Sequence, residues 1–184
     1  MEAHAIFERA TGRFAAAVHS FQPASGGVRD PFFKVDAATL PEMMRWLRDD
    51  PELRFDFLQN LTAVDWPRES LLQSVYHLHS YPHRHELCVK VDLPRADPRV
   101  PSVAALWKNA EWLEREQYDL LGVLYDGHPD LRRLLMPDDW VGHPMRKDYR
   151  EPSEYRGMPT TRVSPLTLLK SYDGRATTKV DPTS

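Results

Sequence analysis

Three strand-like runs follow one another with almost nothing between them. Residues 54–66 (RFDFLQNLTAVDW), 71–81 (LLQSVYHLHSY) and 86–93 (ELCVKVDL) are rich in Val, Phe, Tyr and Leu, and the last alternates Leu87, Val89, Val91 and Leu93 with Cys88, Lys90 and Asp92. The link YPHRH between the second and third has room only for a hairpin. Parallel neighbours need a crossover of about a dozen residues or more. These strands are therefore expected to lie in a mostly antiparallel or mixed sheet, which must cover its apolar face with helices.

The rest of the chain supplies them. Ile6, Phe7, Ala10, Phe14, Ala17 and Val18 recur at helical spacing, which predicts a helix over 5–18. PFFKVD is a short strand candidate. Thr39 followed by Glu42 reads as a capping box, with Pro41 in the first turn of LPEMMRWLRDD and Leu40, Met43, Met44 and Leu47 on its apolar face. From Ser102, the stripe Val103, Leu106, Trp107, Ala110 and Leu113 predicts a third helix, with a possible break at Lys108-Asn109 and a stop at Gly122. Glu111–Arg115 and Arg115–Asp119 have the i,i+4 spacing of helical ion pairs. The expected fold is α+β: a two-layer domain with a mixed or mostly antiparallel sheet covered by helices, followed by an extended irregular C-terminal arm. The boundaries expected are an N-terminal helix and linker over 1–27, the α+β domain over 28–124, and a partner-binding arm over 125–184. That arm has prolines at 129, 137, 144, 152, 159, 165 and 182 and no period, yet it keeps Trp140, four tyrosines and LTLLK. A disordered tail is poorer in such residues, so the arm is expected to pack against something.

Several function classes lose support. The net charge is −3 and basic residues are interleaved with acids, so no field calls for nucleic acid. Cys88 is the only cysteine, which rules out an internal disulfide and a cysteine-held iron–sulfur cluster. No apolar run reaches the ~20 residues of a membrane span, and the first twenty residues do not read as a secretory signal. A cytoplasmic chain is expected, with any membrane association made through partners. No flavin, nucleotide or phosphate-loop motif is present, so no cofactor is expected.

Two histidine groups invite chemistry. His77, His79, His83 and His85 fall around the hairpin and could gather a metal, the basis of an independent metal-dependent enzyme; an exposed His-rich hairpin is the plainer alternative. His128 and His143 each sit in Gly-His-Pro, where Gly permits positive φ and Pro restricts the residue before it. That fixes an imidazole for catalysis or for a contact loop, and no nucleophile stands near in sequence. Glu114, Glu116 and Asp119 near the end of the third helix precede Arg132, Arg133, Arg146 and Lys147. Arginine–carboxylate pairs could staple the arm onto the helix; the same arginines could take a substrate carboxylate or phosphate.

One long spaced pattern is specific. Glu114-Arg115-Glu116, then Tyr118-Asp119-Leu120-Leu121-Gly122, then Gly127 to Arg133 with His128, Arg132 and Arg133, then Gly142 to Asp148 with His143, Arg146, Lys147 and Asp148, closely resembles the signature of the 30-kDa subunit family of NADH:quinone oxidoreductase, respiratory complex I. The resemblance runs over about residues 30–150; Lys108 and Glu111 depart from the family's pattern. It implies a non-redox peripheral-arm subunit of a proton-translocating NADH:quinone oxidoreductase. Its partners would be other peripheral-arm subunits, chiefly the 49-kDa-type large subunit beside the quinone site and the neighbouring iron–sulfur subunits. It would lie on the cytoplasmic side of a bacterial cell membrane as a peripheral protein. No catalytic, cofactor or metal residue is expected on this chain; Glu114, Arg115, Glu116, Asp119, Gly122, His128, Arg132, Arg133, His143, Arg146, Lys147 and Asp148 are expected to act as interface and structural residues. The alternative is the equivalent subunit of a membrane-bound hydrogenase or a ferredoxin:quinone oxidoreductase.

Overall fold

A computed structural model describes residues 2–25 and 30–160. Met1–Tyr149 forms one compact unit and Arg150–Ser184 a second. In chain order the first unit holds α1 (Ala3–Phe14), β1 (Val18–Gln22), β2 (Phe32–Val35), α2 (Leu40–Asp49), β3 (Phe57–Trp66), β4 (Leu71–Ser80), β5 (His85–Pro94), β6 (Arg99–Pro101), α3 (Ala110–Leu121) and β7 (Leu124–Asp126). The second unit's described part is a small hairpin of β8 (Glu154–Tyr155) and β9 (Met158–Pro159).

The main sheet has the order β1-β2-β5-β4-β3. The three long strands pair antiparallel, β1 pairs antiparallel with β2, and β2 runs parallel to β5, so the sheet is mixed. The α2 segment and the β3–β4 hairpin separate β2 from β5, which gives the length a parallel connection needs. Alternate residues of each strand face one core: Phe33, Val35, Leu72, Tyr76, Leu78, Leu87, Val89, Val91 and Leu93 pack with Ile6 and Ala10 of α1 and with Leu40, Met43, Met44 and Leu47 of α2. The four α2 side chains are fully buried, and each is worth roughly 1.5–3 kcal/mol. The opposite sheet face carries Glu86, Lys90 and Asp92 on β5 and His77 and His79 on β4.

β3 is an edge strand, and α3 covers it with polar side chains. Asn109 Nδ2 donates to Leu58 O at 2.5 Å, and Gln117 accepts the Ala63 amide at 3.0 Å and donates to Leu61 O at 3.4 Å. Side-chain amides here stand in for a neighbouring strand and leave the edge unavailable for pairing.

The structure corrects several sequence expectations. The first helix ends at Phe14, not 18; Ala15 takes φ +50° and Val18 opens β1, paired with Val35. A five-residue strand with only Val18 buried has too little alternation to be seen in sequence, and tertiary pairing overrides the helical spacing. Thr39 is itself helical in backbone and makes no side-chain cap, so the capping box does not form; Pro41 does sit in the first turn. The third helix starts at Ala110, on the far side of the Lys108-Asn109 break, and residues 104–109 form turns. Val103 and Trp107 are still buried, because Trp107 Nε1 donates to Phe55 O at 3.1 Å and the turns pack on the core without being helical. The proline-rich segment after β5 contributes β6, a strand not anticipated in the sequence, which runs parallel to β7.

Candidate functional site

The polar stretch after α3 is wound onto the helix that precedes it. α3 ends at Gly122, whose φ of +76° lets its N–H bond back to the carbonyls of Gln117 and Tyr118. A side chain at this position is excluded a second way: an added Cβ would stand 2.5 Å from Nε2 of His143. The imidazole lies over the glycine and its Nδ1 donates to Asp119 O at 3.0 Å. Burial, countered in part by that bond, lowers the His143 pKa and favours the neutral ring.

Asp119 is the organising residue. Its side chain is fully buried, and one carboxylate oxygen accepts the amides of Leu134, Leu135 and Met136 at 3.0, 2.6 and 2.8 Å. The other accepts Arg133 Nη1 at 2.7 Å. Burial opposes ionisation, but the Met136 amide, Arg133 and the Leu135 and Leu134 amides together hold the carboxyl below its usual range. Arg133 also donates to the carbonyls of Trp140 and Gly142 at 2.9 and 3.1 Å. A single ion pair thereby fixes residues 133–142, which have no ladder of their own.

The arm's end is held elsewhere. Asp65, at the end of β3, is nearly buried and accepts both Arg95 Nε at 2.7 Å and the Lys147 amide at 2.8 Å. Arg95 reaches on to Asp148 at 2.5 Å. The Arg95 guanidinium, acting against burial, keeps Asp65 well ionised, and the Lys147 amide adds to it. Arg146 Nε donates to Leu121 O at 2.8 Å.

At the start of α3, Glu114 is also fully buried but meets no cation. It accepts Ser102 Oγ at 2.6 Å and the Val103 amide at 2.7 Å, and His128 Nε2 lies 3.9 Å away. His128 accepts the Asp130 amide on Nδ1 and donates from Nε2 to Glu111 O at 3.0 Å. Burial, partly offset by the Ser102 and Val103 bonds, pushes the Glu114 carboxyl up to about 7.

The expected residues thus divide. Asp119, Gly122, Arg133 and His143 form one knot. Arg146, Lys147 and Asp148 join a second with Asp65 and Arg95. The helical pairs Glu111–Arg115 and Arg115–Asp119 do not form: Arg115 instead donates to the carbonyls of Arg132 and Arg133 at 3.3 and 3.2 Å, since those carbonyls need a donor and Asp119 has better ones. Arg132 pairs with Asp130 on the surface, and Glu116 is half-buried on α3. Asp65, Arg95, Gln117 and Ser102 were missed in the sequence. An acid at an inward strand position, Asp65 in AVDW, was the one signal pointing to any of them.

Two of the four hairpin histidines, His83 and His85, serve the backbone. His83 Nε2 meets Pro51 O at 2.9 Å and His85 Nε2 meets Leu53 O at 2.8 Å, with the two rings stacked 5.5 Å apart. His79 sits 3.4 Å from Glu86, and His77 is paired in register with Cys88. Burial pushes the Cys88 thiol up to about 11. Among the described residues no group of three or more His, Cys, Asp or Glu is placed to hold a metal, and no helix is long and apolar enough to cross a membrane.

The inner side of the arm is therefore consumed by hydrogen bonds to α3 and β3, while apolar side chains point outward. Leu135, Val141 and Met145 are exposed, as is Trp112 on α3. Such a segment presents surface and offers no assembled nucleophile and base.

The chain is similar to proteins of one family. Residues 33–155 match the family described as respiratory-chain NADH dehydrogenase, 30 Kd subunit. The corresponding NADH-quinone oxidoreductase subunit of Chlorobium phaeobacteroides is 40% identical over 159 residues, 85% of this chain and 94% of that protein. That of Roseiflexus castenholzii is 51% identical over 108 residues, 58% of this chain and 62% of its own length, so the match spans about three-fifths of that relative. Among solved structures, the trypsin-resistant fragment of Nqo5 superposes with a TM-score of 0.58 at 29% identity, over 71% of this chain and all of the fragment. A chain of the membrane-bound sulfane sulfur reductase, an archaeal respiratory membrane complex, shares the fold with a TM-score of 0.64 at 23% identity, over 92% of this chain and 90% of that one.

Proposed function

Because the chain belongs to the family of the 30 Kd subunit of respiratory-chain NADH dehydrogenase, we propose that it is a non-redox, peripheral-arm subunit of a proton-translocating NADH:quinone oxidoreductase. Its work is assembly. The observation that carries this reading is the arm over 127–149: its polar groups are bound to Asp119, Asp65, Arg115 and Arg133, and Leu135, Val141 and Met145 are left outward. Exposed apolar side chains on a rigid, hydrogen-bonded support are what a partner surface needs. The partners would be the large subunit beside the quinone site and the adjoining iron–sulfur subunits, with the assembly on the cytoplasmic face of the membrane. Glu114, Arg115, Glu116, Asp119, Gly122, His128, Arg132, Arg133, His143, Arg146, Lys147 and Asp148 act by shaping that surface, and residues 125–184 as a whole form the partner-binding arm. The segment beyond 160 lies outside the described residues.

A second reading keeps the family and changes the machine: a related membrane-bound hydrogenase or ferredoxin:quinone oxidoreductase. The fold shared with a chain of an archaeal respiratory membrane complex favours keeping it. The test is purification of the complex through a tag on this chain. Co-purified subunits with NADH:quinone reductase activity are expected. Recovery of the tagged chain alone from active membranes would overturn the assembly reading, and a complex that reduces quinone only with ferredoxin would select the second machine.

A further inference from the structure

On the sheet face opposite α1 and α2, three side chains stand in a row across the strands. Register pairs Phe57 of β3 with His79 of β4, and His79 with Glu86 of β5; residues paired this way point to one face. Tyr81, just past β4, closes over the row. Its ring lies 5.6 Å from Phe57 and meets the His79 ring edge-on at 5.0 Å. Phe57 and Tyr81 are 36% and 64% exposed. With Gln59 and Glu86, the three rings line a hollow of about 200 Å³. A second hollow of about 360 Å³ shares Gln59 and Glu86 and runs on to His77, Cys88 and Asp30. Exposed apolar residues scattered singly are ordinary; rings gathered around a cavity with a carboxylate on its rim are a binding geometry. Glu86 meets the His79 imidazole, Nδ1 to Oε1 at 3.4 Å. Among the described residues no lysine or arginine pairs with Glu86 or stands over the three rings. The lysines of this face are engaged further along it, Lys34 with Asp92 at 2.6 Å and Lys90 over the Phe32 ring at 3.5 Å.

We propose that the cage of Phe57, His79, Tyr81 and Glu86 is a seat for an arginine side chain of a partner subunit. Aromatic faces attract a cation, and the carboxylate supplies the opposite charge. A guanidinium uses both better than an ammonium does: it is planar, stacks on rings, forks onto a carboxylate and is less strongly hydrated. The Gln59 amide oxygen can take a further N–H. Pockets for whole small molecules run to about 300–1,000 Å³, so the smaller hollow has room for one side chain. The larger hollow then receives the neighbouring residues of the partner, toward Asp30. This inference rests on the assembly reading above and adds to the arm a second contact face, on the sheet, whose partner chemistry is cationic.

Two measurements test it. In the isolated full chain, NMR follows the Phe57, His79 and Tyr81 rings as N-acetyl-arginine amide is added. Saturable shifts are expected, weaker by about fivefold for the neutral N-acetyl-citrulline amide and for the Glu86→Gln and Tyr81→Ala variants. N-acetyl-lysine amide should also bind less well. Shifts that never saturate, that citrulline reproduces or that lysine matches reject an arginine seat. In the complex purified through a tag on this chain, Glu86→Arg places a like charge in the cage. It should recover several-fold less of the partner subunits while its circular dichroism matches wild type; should it alter the fold, Glu86→Gln takes its place. Undiminished recovery would overturn the partner as the source of the cation, even with a probe that binds. A wild-type chain that recovers no partner would instead overturn the assembly reading, and the partner seat with it, whatever the titration shows of the cage itself.

Discussion

The two ends of α3 each bury an acid, and the chain treats them oppositely. Glu114 and Asp119 are both 0% exposed. In the second turn of the helix, burial pushes Glu114 toward its neutral form, up to about 7. In the last turn, where the dipole disfavours an anion, Asp119 is held ionised. Depth and dipole therefore do not decide the charge; the number of donors does. Glu114 has one hydroxyl and one amide, whereas Asp119 has three amides and a guanidinium. The Glu114 end belongs to the core. The Asp119 end substitutes for a core, organising an arm that has no apolar pattern of its own.

The largest effect should come from breaking the second end. Asp119→Ala strands Arg133 and three amides, and loss of one partner of a buried pair costs about 3–5 kcal/mol. Denaturant unfolding should show a destabilisation of that size, and limited proteolysis should cut within 127–149 while the sheet stays protected. The depressed Asp119 pKa means this contribution is present above the ordinary carboxylate value and is lost as pH falls through the folded one. The gap between wild type and variant should therefore close in acid. A gap that stays constant down to the acid transition would deny the ionised state of Asp119.

Glu114→Gln should do the reverse. The folded pKa of Glu114 is raised from 4.5 to about 7, so its stabilisation is complete below the unfolded value and is lost as pH rises through the folded one. Between those limits the wild type should lose up to about 3 kcal/mol relative to the variant, at ~1.4 kcal/mol per unit. Matched unfolding curves across pH 4 to 8 measure it directly. Parallel curves would mean that the folded acid titrates like a free one.

Gly122→Ala should cost less, about 1–3 kcal/mol, from the left-handed backbone and the displaced ring of His143. Its signature is local: the His143 imidazole should lose its burial and titrate nearer an ordinary histidine, as NMR of the ring would report. A His143 titration unchanged from wild type would show that the ring is not seated on the glycine.

These two ends also show what the sequence could reveal. The sheet was legible because β4 and β5 carry a period of two and a short hairpin. α2 was legible because Leu40, Met43, Met44 and Leu47 repeat at helical spacing. β1 was not, since a short edge strand with one buried side chain leaves no period. Within the site, Gly122 and the Asp119–Arg133 pairing could be anticipated from a helix stop and a run of arginines after acids. Asp65 offered only an acid at an inward strand position and Arg95 nothing, because their role depends on a contact between residues 82 positions apart in the chain, Asp65 and Lys147. The amides of Leu134, Leu135 and Met136 are invisible in principle: backbone donors carry no residue identity, and an arm organised by them has no sequence pattern beyond the glycines and prolines that bend it.

The smallest effect on the isolated chain should be the most informative about assembly. Lys147 is exposed, and its bond to Asp65 uses the backbone amide, so Lys147→Glu leaves that bond in place. Stability should change by no more than ~0.5 kcal/mol. Its neighbour is different: Arg146 is half-buried and its guanidinium caps Leu121 O at the end of α3, so Arg146→Glu should cost about 1–3 kcal/mol by unpairing that carbonyl. Changing Arg146 and Lys147 together would mix a folding effect with a surface effect, and the single changes separate them. If the arm is the docking face, Lys147→Glu should keep its melting temperature and circular dichroism yet co-purify less of the partner subunits. The deficit should depend on salt, since a charge at an interface rim acts through a field that ions screen. Undiminished co-purification at low ionic strength would move the docking face away from this end of the arm. A lowered melting temperature would instead place the Lys147 ammonium in the knot around Asp65 and Asp148, as part of what holds the arm rather than part of what it presents.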